Sequence, residues 1–462
     1  MHKTSLWLSE IEADLKAPTP LQGGIRADIA ILGGGFVGLW TAINLKQLEP
    51  SRRVVVLEMG NCGSGASGMN GGFAMSWWPK IGSLIRLCGE DDAAWLAEET
   101  VNTLEDLPKI LERYDVDAEV RLNGWLWTAT TPAHTHAWDS VVTATHKLGR
   151  GNVFESLSPQ EIVKRTGSDR HIAGVYERLN GTVHPGKLGR GLFKIARALG
   201  VEIYEHTPVE RFNRRSPVQI ITPHGQVTAE KLIITTNAWA ATVPELARQF
   251  VCVGSSIVAT PPIPERLQAL GWTGGESITD SQTTVNFYRT TRSGRLVFGK
   301  GGGHLYYTGK PPQIAFHNPK ALEETIMDFR RVYPSLADVP IDRGWSGPID
   351  RTYDSLPVIG YLHDAPHISY GIGWSGNGVN PSRVGGRILA GMALQYRERW
   401  TENGLVGRKA KSFPPEPFRY VGGSMVRAAM LRKDQCEISG TRVSLFDKFL
   451  NQFAPAGLED KR

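Results

Sequence analysis

The stretch that decides the fold is Ala27-Asp28-Ile29-Ala30-Ile31-Leu32-Gly33-Gly34-Gly35-Phe36-Val37-Gly38-Leu39. An apolar run leads into three glycines with the spacing G-x-G-x-x-G, and an apolar pattern typical of a helix follows them. A β-branched run then ends in an acid at Glu58. This order predicts a strand, a tight turn, a helix and a second strand, the unit that binds dinucleotides.

Each part of the unit has a physical role in holding a dinucleotide. Gly33 permits the turn, Gly35 lets the backbone approach a pyrophosphate, and Gly38 lets the helix pack on the strand. The helix N-terminus presents free N–H groups to phosphates, and Glu58 accepts hydrogen bonds from a ribose. Because glycine-rich turns are common, the alternative is an ordinary βαβ unit without a ligand. The agreement of all four parts favours dinucleotide binding.

A second glycine-rich stretch covers residues 60–72, shortly after Glu58. It contains too many glycines for a packed helix or strand, and it predicts a loop whose backbone lies against something flat or anionic. A flexible surface linker is the alternative. The stretch leads into the aromatic pair Trp77-Trp78, which either walls a pocket or belongs to the core, and the sequence leaves both interpretations open.

The composition narrows the classes of function. The 462 residues are 41% hydrophobic, which is enough for two or three domains with a large core. The net charge of +6 does not indicate nucleic-acid binding and fits an anionic cofactor or substrate. The first residues lack the apolar core of a signal peptide, and no apolar run reaches membrane-spanning length. The four cysteines have no metal-ligand spacing, so we expect a cytoplasmic protein without a metal site.

The two glycine-rich motifs together carry a family resemblance. The chain resembles the D-amino-acid-oxidase-like (DAO) superfamily of FAD-dependent oxidoreductases in three consecutive features: the segment G-G-G-F-V-G-L-W-T-A, then Glu58, and then the segment G-A-S-G-M-N-G-G. The resemblance runs from Leu6 to Lys433 and points to the branch of γ-glutamylputrescine oxidase and the aminophosphonate oxidoreductases. Met69 stands where that branch frequently has arginine. The motifs are specific for FAD and say little about the substrate.

The resemblance implies a fold that combines α/β and antiparallel β structure. A Rossmann-like FAD-binding domain, discontinuous in sequence, carries a substrate domain built on an antiparallel sheet. A short helix is expected near residues 6–16. The implied ranges are 26–84, 181–248 and 345–410 for the FAD-binding domain, 85–180 and 249–344 for the substrate domain, 1–25 for an N-terminal lead-in, and 411–462 for a C-terminal extension.

The same resemblance implies the contacts to FAD. They come from the two glycine motifs, from two later strand ends, and from the segment before the last helix of the cofactor domain, whose N-terminus stabilises negative charge on the reduced flavin. Dissociable FAD is expected because no cysteine lies between Cys252 and Cys436, where related enzymes attach their flavin. The implied contacts are Gly33, Gly35, Phe36, Val37, Gly38, Glu58, Gly65, Ala66, Ser67, Asn70, Gly71, Gly72, Val209, Thr236, Asn237, Gly376, Asn377, Gly378, Val379 and Asn380.

Substrate contacts are expected on the antiparallel sheet, because the family holds its substrates there, over the flavin. Strand residues alternate between faces, so about half of the candidates should point elsewhere. The candidate pocket residues are Lys300, His304, Tyr288, Trp77 and Trp374. The candidate partners of an anionic substrate group are Lys80, Arg289, Lys300 and His304.

Two further features have open interpretations. His184 precedes a predicted helix through Ala198, and it either approaches the active site or caps and packs this helix. The stretch Met425–Lys433 is basic and amphipathic, and it either packs against the body of the protein or contacts a membrane surface or a partner.

No Ser-His-acid or Cys-His arrangement at a recognisable motif competes with flavin chemistry, so hydride transfer from a substrate carbon to flavin N5 is expected. The resemblance implies a small primary or secondary amine, of amino-acid, γ-glutamyl-amine or aminophosphonate type, and an imine product that hydrolyses to a carbonyl. Oxygen as acceptor is in question, because Val297 stands where monomeric sarcosine oxidases have an oxygen-activating lysine. The alternatives are a dehydrogenase that reduces a quinone or protein, a flavin-binding protein without turnover, and a nicotinamide enzyme.

Overall fold

The computed structural model describes residues 1–15, 17–307 and 311–457, and its strands form two large sheets. The strands are β1 (Gly23–Leu32), β2 (Val54–Leu57), β3 (Phe73–Ala74), β4 (Trp125–Ala129), β5 (Glu155–Leu157), β6 (Ala173–Glu177), β7 (Gly181–Thr182), β8 (Glu202–Tyr204), β9 (Arg211–Phe212), β10 (Val218–Thr222), β11 (Gly225–Ile234), β12 (Val251–Ala259), β13 (Ser277–Asp280), β14 (Asn286–Thr290), β15 (Leu296–Leu305), β16 (Arg343–Arg351), β17 (Val358–Leu362) and β18 (Ala365–Ile372). The helices are α1 (Leu6–Ser9), α2 (Phe36–Leu48), α3 (Ile81–Arg113), α4 (Asp139–Lys147), α5 (Pro159–Thr166), α6 (Pro185–Ala198), α7 (Pro264–Ala269), α8 (Pro319–Val332), α9 (Pro381–Leu394), α10 (Arg399–Glu402), α11 (Phe418–Ser439) and α12 (Leu445–Asn451).

The first sheet has a parallel centre. Its order is β17-β18-β11-β1-β2-β8, with β10 paired to β11 and β9 to β10. Strand β1 is parallel to both β2 and β11. Strand β2 reads Val-Val-Val-Leu and is buried throughout, the continuous apolar run expected of a strand covered on both faces. The α/β part of the predicted fold is confirmed.

The predicted strand, turn, helix and second strand are β1, the glycine turn, α2 and β2. Gly33 has a φ of +100°, a conformation that glycine adopts without strain. A Cβ atom at Gly38 would overlap the carbonyl oxygen of Gly33 and lie 2.8 Å from the hydroxyl of Thr235. Close packing recurs where α9 crosses α2, because a Cβ at Gly386 would lie 2.8 Å from the backbone nitrogen of Thr41.

The second sheet has the order β16-β12-β15-β14-β13-β4-β6-β5. Its pairs are antiparallel except for β13 with β4, so the antiparallel part of the predicted fold is confirmed. Strand β16 pairs with β12 over its whole length and belongs to this sheet up to Arg351. The predicted domain boundary at 344/345 therefore divides a strand of the second sheet. The division into domains as a whole stays a prediction.

The two ends of the chain pack against this body. The helix expected near residues 6–16 is shorter: α1 ends at Ser9, a 3-10 turn covers Glu12–Asp14, and Lys16 lies outside the described residues. In the predicted C-terminal extension, α11 and α12 pack against each other, and residues 458–462 lie outside the described residues. Among the helices of the described ranges, none is long and apolar enough to cross a membrane.

Candidate active site

A cavity of about 1300 Å³ is lined by both sheets. The carboxyl ends of β1, β2 and β11 reach it through Leu32, Leu57 and Ile234, and β12 and β16 line it from the second sheet. Open α/β sheets bind their ligands at the carboxyl ends of the strands. The volume exceeds the roughly 300–1,000 Å³ typical of a pocket for one small ligand, so a dinucleotide and a small substrate can share the cavity.

The N-terminus of α2 forms one end of the cavity. Gly35 is the N-cap residue and provides no side chain that satisfies the first N–H groups of the helix. The N–H of Phe36 donates to the hydroxyl of Ser67 at 2.9 Å, which ties α2 to the second glycine-rich loop. The helix end thus presents its partial positive charge and backbone donors to an anion, as a pyrophosphate site requires.

Glu58 follows β2 and faces the same cavity. Its carboxylate accepts hydrogen bonds from the N–H groups of Gly34 at 2.7 Å and Gly60 at 2.9 Å. Burial raises the pKa of Glu58, and these two donors oppose that shift. The donors fix the carboxylate at the end of β2, where a dinucleotide in this fold places a ribose.

The second glycine-rich loop is held in shape by Asn70. The Asn70 side-chain amide donates to the carbonyl oxygens of Ala66 at 3.1 Å and Ser67 at 2.7 Å, and its oxygen accepts from the N–H of Gly72 at 2.8 Å. The loop lines the cavity, as its glycine content predicts, and it does not form a free surface linker.

The structure brings most of the predicted FAD contacts to this cavity. They come from α2, both glycine-rich loops, the ends of β8 and β11, and the segment before α9. The predicted residues that line it are Gly33, Gly35, Phe36, Val37, Glu58, Gly65, Ala66, Ser67, Asn70, Gly71, Val209, Thr236, Asn237, Gly376, Asn377, Gly378 and Val379.

Three predicted contacts lie behind the cavity wall. Gly38 packs behind the turn, and Gly72 adopts a φ of +75° as the loop leaves the cavity. Asn380 precedes α9, and its amide donates to the carbonyl oxygens of Met75 at 3.1 Å and Thr100 at 2.7 Å. These residues shape the wall and are not lining residues, because close packing or internal hydrogen bonds occupy them.

Asp350 fixes the segment before α9 and was not singled out by the sequence analysis. Its buried carboxylate accepts from the N–H of Gly373 at 2.6 Å, the N–H of Trp374 at 3.1 Å and the amide of Asn237 at 2.9 Å. Burial raises the pKa of Asp350 to about 7. A carboxyl group that directly follows the apolar pair Pro348-Ile349 was the available signal, because acids are rarely fully buried without a structural reason.

The far end of the cavity combines indole rings and cations. Trp77 and Trp374 line it and are buried, whereas the neighbouring Trp78 packs in the core. Lys80 and Arg351 line the same cavity. Lys80 was a predicted anion partner, but Arg351 was missed because the sequence analysis gave no role to the charged end of β16.

The prediction of Tyr288 as a pocket residue is corrected by its surroundings. The ring stacks on Phe298 with a centroid distance of 4.9 Å, and its hydroxyl lies 3.1 Å from Nε2 of His171. Tyr288 is fully buried in the aromatic core beneath the second sheet and does not line the cavity. On β14 its side chain faces the core.

Lys300 and His304 on β15 also point away from the cavity. Lys300 forms an ion pair with Asp328 on α8. His304 lies 3.1 Å from a guanidinium nitrogen of Arg427 and 3.8 Å from the carboxylate of Glu324. Both predicted substrate contacts are therefore engaged elsewhere, and the backbone of Gly301–Gly303 between them lines the cavity instead.

Arg289, the remaining predicted anion partner, supports the loop from behind. Its guanidinium donates to the carbonyl oxygens of Gly72 at 3.0 Å and Val183 at 2.7 Å. The side chain is buried and does not line the cavity. Its role is to hold the second glycine-rich loop against β7.

His184 is a capping residue. Its Nδ1 accepts from the N–H of Lys187 at 3.1 Å, which caps α6, and its Nε2 lies 2.9 Å from the carboxylate of Glu10. The imidazole is buried and does not line the cavity. Of its two open interpretations, the structure supports capping and packing.

The C-terminal extension forms part of the cavity wall, a role that was not predicted from the sequence. Asp434 on α11 accepts from the N–H groups of Thr283 and Thr284, both at 2.8 Å, and so attaches the helix to the second sheet. The predicted basic stretch lies in α11 and packs against the body. The extension's lining residues are Lys411, Ser412, Phe413, Pro414, Phe418, Arg419, Gly422, Gly423, Met425, Val426, Arg427, Met430, Leu450, Phe453, Pro455 and Gly457.

Comparison with known proteins defines the class. A family model described as FAD dependent oxidoreductase (DAO) matches residues 28–392. The chain belongs to this family, and the family predicted from the two glycine motifs is confirmed. The observed cradle fits FAD, because an uncapped helix end, two glycine-rich turns and a fixed acid occupy the positions that a dinucleotide requires.

Similar proteins match more than four fifths of the chain. The probable oxidoreductase OrdL of Haemophilus influenzae is 28% identical over 408 residues, which are 86% of this chain and 90% of the relative. The gamma-glutamylputrescine oxidoreductase of Escherichia coli is 28% identical over 384 residues, 82% of this chain and 86% of the relative. The crystal structure of glycine oxidase from Geobacillus kaustophilus superposes with a TM-score of 0.67 at 20% identity, covering 81% of this chain and 96% of that one.

Proposed function

We propose that this FAD-dependent oxidoreductase oxidises the C–N bond of a small amine that carries an anionic group, of amino-acid, γ-glutamyl-amine or aminophosphonate type. The observation that carries the proposal is the far end of the cavity, where the buried indoles of Trp77 and Trp374 lie with the cations of Lys80 and Arg351. The names of two relatives, gamma-glutamylputrescine oxidoreductase and glycine oxidase, support an amine or amino-acid substrate.

The cofactor and the chain have separate tasks in this reaction. Bound FAD supplies the acceptor for a hydride from the substrate carbon. The cradle that would hold it consists of the α2 N-terminus, Glu58, the second glycine-rich loop and the segment before α9. At the far end, the indoles exclude water around the reacting carbon, and the cations attract the anionic group of the substrate.

The substrate nitrogen must be neutral, since a protonated nitrogen has no electron pair with which to expel hydride. Among the described lining residues the carboxylates are Glu58 and Glu210, which follow β2 and precede β9 in the first sheet. No carboxylate of the described lining lies on the second sheet to take the proton. The nearby cations and the dry surroundings favour the neutral amine. Loss of hydride and of the nitrogen proton leaves an imine, which water hydrolyses to a carbonyl compound.

A dehydrogenase that passes electrons to a quinone or a protein is the second candidate. Val297 is buried in an apolar cluster with Ile257 and Trp345 and brings no cation to the cavity. The neighbouring Lys300 is paired with Asp328. Neither position supplies a positive charge that would stabilise reduced oxygen beside the flavin, which favours another acceptor.

Anaerobic titration of the purified, FAD-loaded protein tests the proposal. Glycine and 2-aminoethylphosphonate represent amines with an anionic group, and propylamine is the comparison amine without an anionic group. We expect an anionic amine to bleach the flavin absorbance at more than tenfold lower concentration than propylamine. Equal response to all three amines contradicts the anionic specificity, and bleaching by none of a broad amine panel contradicts the proposed function.

Two further readings of the same sample decide the remaining alternatives. Slow recovery of the absorbance in air, with fast recovery on adding a soluble quinone, identifies the dehydrogenase; fast recovery in air identifies the oxidase. Acid precipitation should release all of the FAD into the supernatant if the cofactor is dissociable. Yellow colour retained in the pellet would show covalent attachment.

A further inference from the structure

The outward face of α12 is apolar. Asp447 and Leu450 are buried against the protein, whereas Leu445, Phe446 and Phe449 are between 54% and 83% exposed. A helix at a protein surface normally turns its apolar residues toward the core and its polar residues toward water. The reversed arrangement of α12 indicates that a contact outside the described chain covers this face, because large contiguous apolar patches on a protein surface mark interaction sites.

The apolar face continues beyond α12. Phe453 follows the helix, and its ring lies 5.3 Å from that of Phe449. The guanidinium of Arg432 on α11 donates to the Asp447 carboxylate at 3.0 Å, which joins the two helices. Exposed apolar side chains on α11 extend the surface. We call the whole set the apolar patch, and its members are Phe418, Met425, Leu445, Phe446, Phe449 and Phe453.

The exposed charges of the C-terminal extension have one sign. Residues 411–457 contain four carboxylates, and none of them is more than 17% exposed. Each is held by an arginine, a lysine or backbone N–H groups. The exposed charged residues of this range are all basic, namely Lys411, Arg432, Arg442 and Lys448. The extension therefore presents apolar side chains together with positive charge.

This combination suits an anionic lipid surface better than a second copy of the chain. In a two-fold dimer the same surface meets itself, so the exposed cations of one copy would face those of the other. Residues 411–457 offer no exposed carboxylate to compensate this repulsion. A helix with phenylalanine and leucine on its outward face and basic residues beside it is typical of helices that lie in the head-group region of a bilayer.

We propose that the apolar patch docks the protein onto the surface of an anionic lipid bilayer. Leu445, Phe446 and Phe449 enter the boundary between head groups and acyl chains, and Arg442 and Lys448 attract the lipid phosphates. Three members of the patch also line the cavity, so docking brings this part of the cavity wall to the bilayer. The inference does not depend on which amine the enzyme oxidises.

Sedimentation of the FAD-loaded protein with lipid vesicles tests the inference. The vesicles are pure phosphatidylcholine or an equimolar mixture with phosphatidylglycerol. We expect the wild type to bind the mixed vesicles roughly tenfold more tightly or better, and to be released at high salt, because the attraction to anionic lipid is screened. Leu445→Ser/Phe449→Ser should weaken binding to the mixed vesicles by roughly tenfold. Arg442→Gln/Lys448→Gln should remove the preference for phosphatidylglycerol.

The matched controls are Val163→Ser and Lys164→Gln on α5, since both side chains are exposed outside the C-terminal extension. We expect both controls to bind as the wild type does. The visible spectrum of bound FAD reports on folding, because the residues replaced in the two double variants do not line the cavity. If one double variant does not retain FAD, the other decides.

Three results would overturn the inference. The first is a wild type that does not bind the mixed vesicles, and the second is wild-type binding by both double variants. The third is dimerisation in light scattering that Leu445→Ser/Phe449→Ser abolishes, without vesicle binding, which would assign the patch to a second copy. Amine oxidation is measured separately, by flavin bleaching without vesicles, so failure of the docking and failure of the proposed function are distinguishable.

Discussion

The FAD cradle and the substrate end of the same cavity are assembled in different ways. The cradle is made mainly of two short motifs, residues 33–38 and 65–72, separated by the rest of α2 and by β2, and its key contacts join residues that are close in sequence. The substrate end joins Trp77, Trp374, Arg351 and the C-terminal extension, which come from distant parts of the chain. Local motifs fix a cofactor site, whereas long-range packing decides what the site accepts.

The largest effect is expected from a substitution inside the cradle, Gly38→Val. A Cβ at this position overlaps the carbonyl oxygen of Gly33, and neither backbone can move without separating α2 from β1. We expect the free energy of unfolding to fall by about 3 kcal/mol or more, with loss of bound FAD. Gly24→Ala, on β1, is the control, because a Cβ atom at Gly24 would make only ordinary van der Waals contacts. Normal FAD content and melting temperature in Gly38→Val would contradict the close packing described above.

The second expected effect separates the two regions. Asp434→Ala removes the acceptor of the N–H groups of Thr283 and Thr284, and each buried, unpaired donor costs about 1–3 kcal/mol. We expect faster hydrogen exchange in α11, weaker methylphosphonate binding and unchanged FAD content. Ser439→Ala, at the exposed end of α11, is the control. Loss of FAD together with faster hydrogen exchange in α11 would show that the FAD cradle and the substrate end are not independent.

A smaller effect is expected where the two regions meet, at Asp350. In Asp350→Asn one oxygen becomes a donor, so either the N–H of Gly373 or the N–H of Trp374 loses its partner. We expect a loss of about 1–3 kcal/mol in the free energy of unfolding and a changed absorbance spectrum of the bound flavin, because the segment before α9 shifts. An unchanged spectrum in a destabilised variant would restrict Asp350 to a structural role.

The last effect, small for each pH unit, concerns the pH dependence of stability near the substrate end. Glu177 is buried on β6 and accepts from the hydroxyl of Ser76, a cavity-lining residue; burial raises its pKa to about 8. The unfolded pKa is about 4.3, so between these values the folded state binds one more proton. The free energy of unfolding therefore falls as pH rises, by up to about 1.4 kcal/mol per pH unit.

Replacing Glu177 by glutamine removes the titrating group, so this difference in bound protons between the folded and unfolded states disappears. We expect denaturant unfolding of Glu177→Gln between pH 5 and 8 to show a flatter stability curve than the wild type. Glu161→Gln is the control, since Glu161 lies at the surface of α5 in a pair with Arg165. Parallel curves for the wild type and Glu177→Gln would place the Glu177 pKa in its ordinary range.

Most of the cofactor contacts predicted from the sequence line the cavity, whereas fewer than half of the predicted substrate contacts do. Gly33, Gly35 and Glu58 act through turn geometry and a strand end, which a short motif specifies completely. Tyr288 and Lys300 were misplaced because composition and alternation do not tell which face of a strand looks toward the cavity. The aromatic core and the Asp328 ion pair, which hold these side chains, involve residues far away in the chain.

The sequence by itself determined the dinucleotide-binding unit and, through the two glycine motifs, the family, because these depend on patterns within a few tens of residues. The cofactor and the antiparallel second sheet followed from the family resemblance. The tertiary structure alone decided that the C-terminal extension forms part of the cavity wall, that Asp350 holds the segment before α9, and that Arg351 lines the cavity. These features depend on contacts between residues far apart in the chain, such as the hydrogen bonds from Thr283 and Thr284 to Asp434, and the free energy of such contacts appears only when the chain is folded.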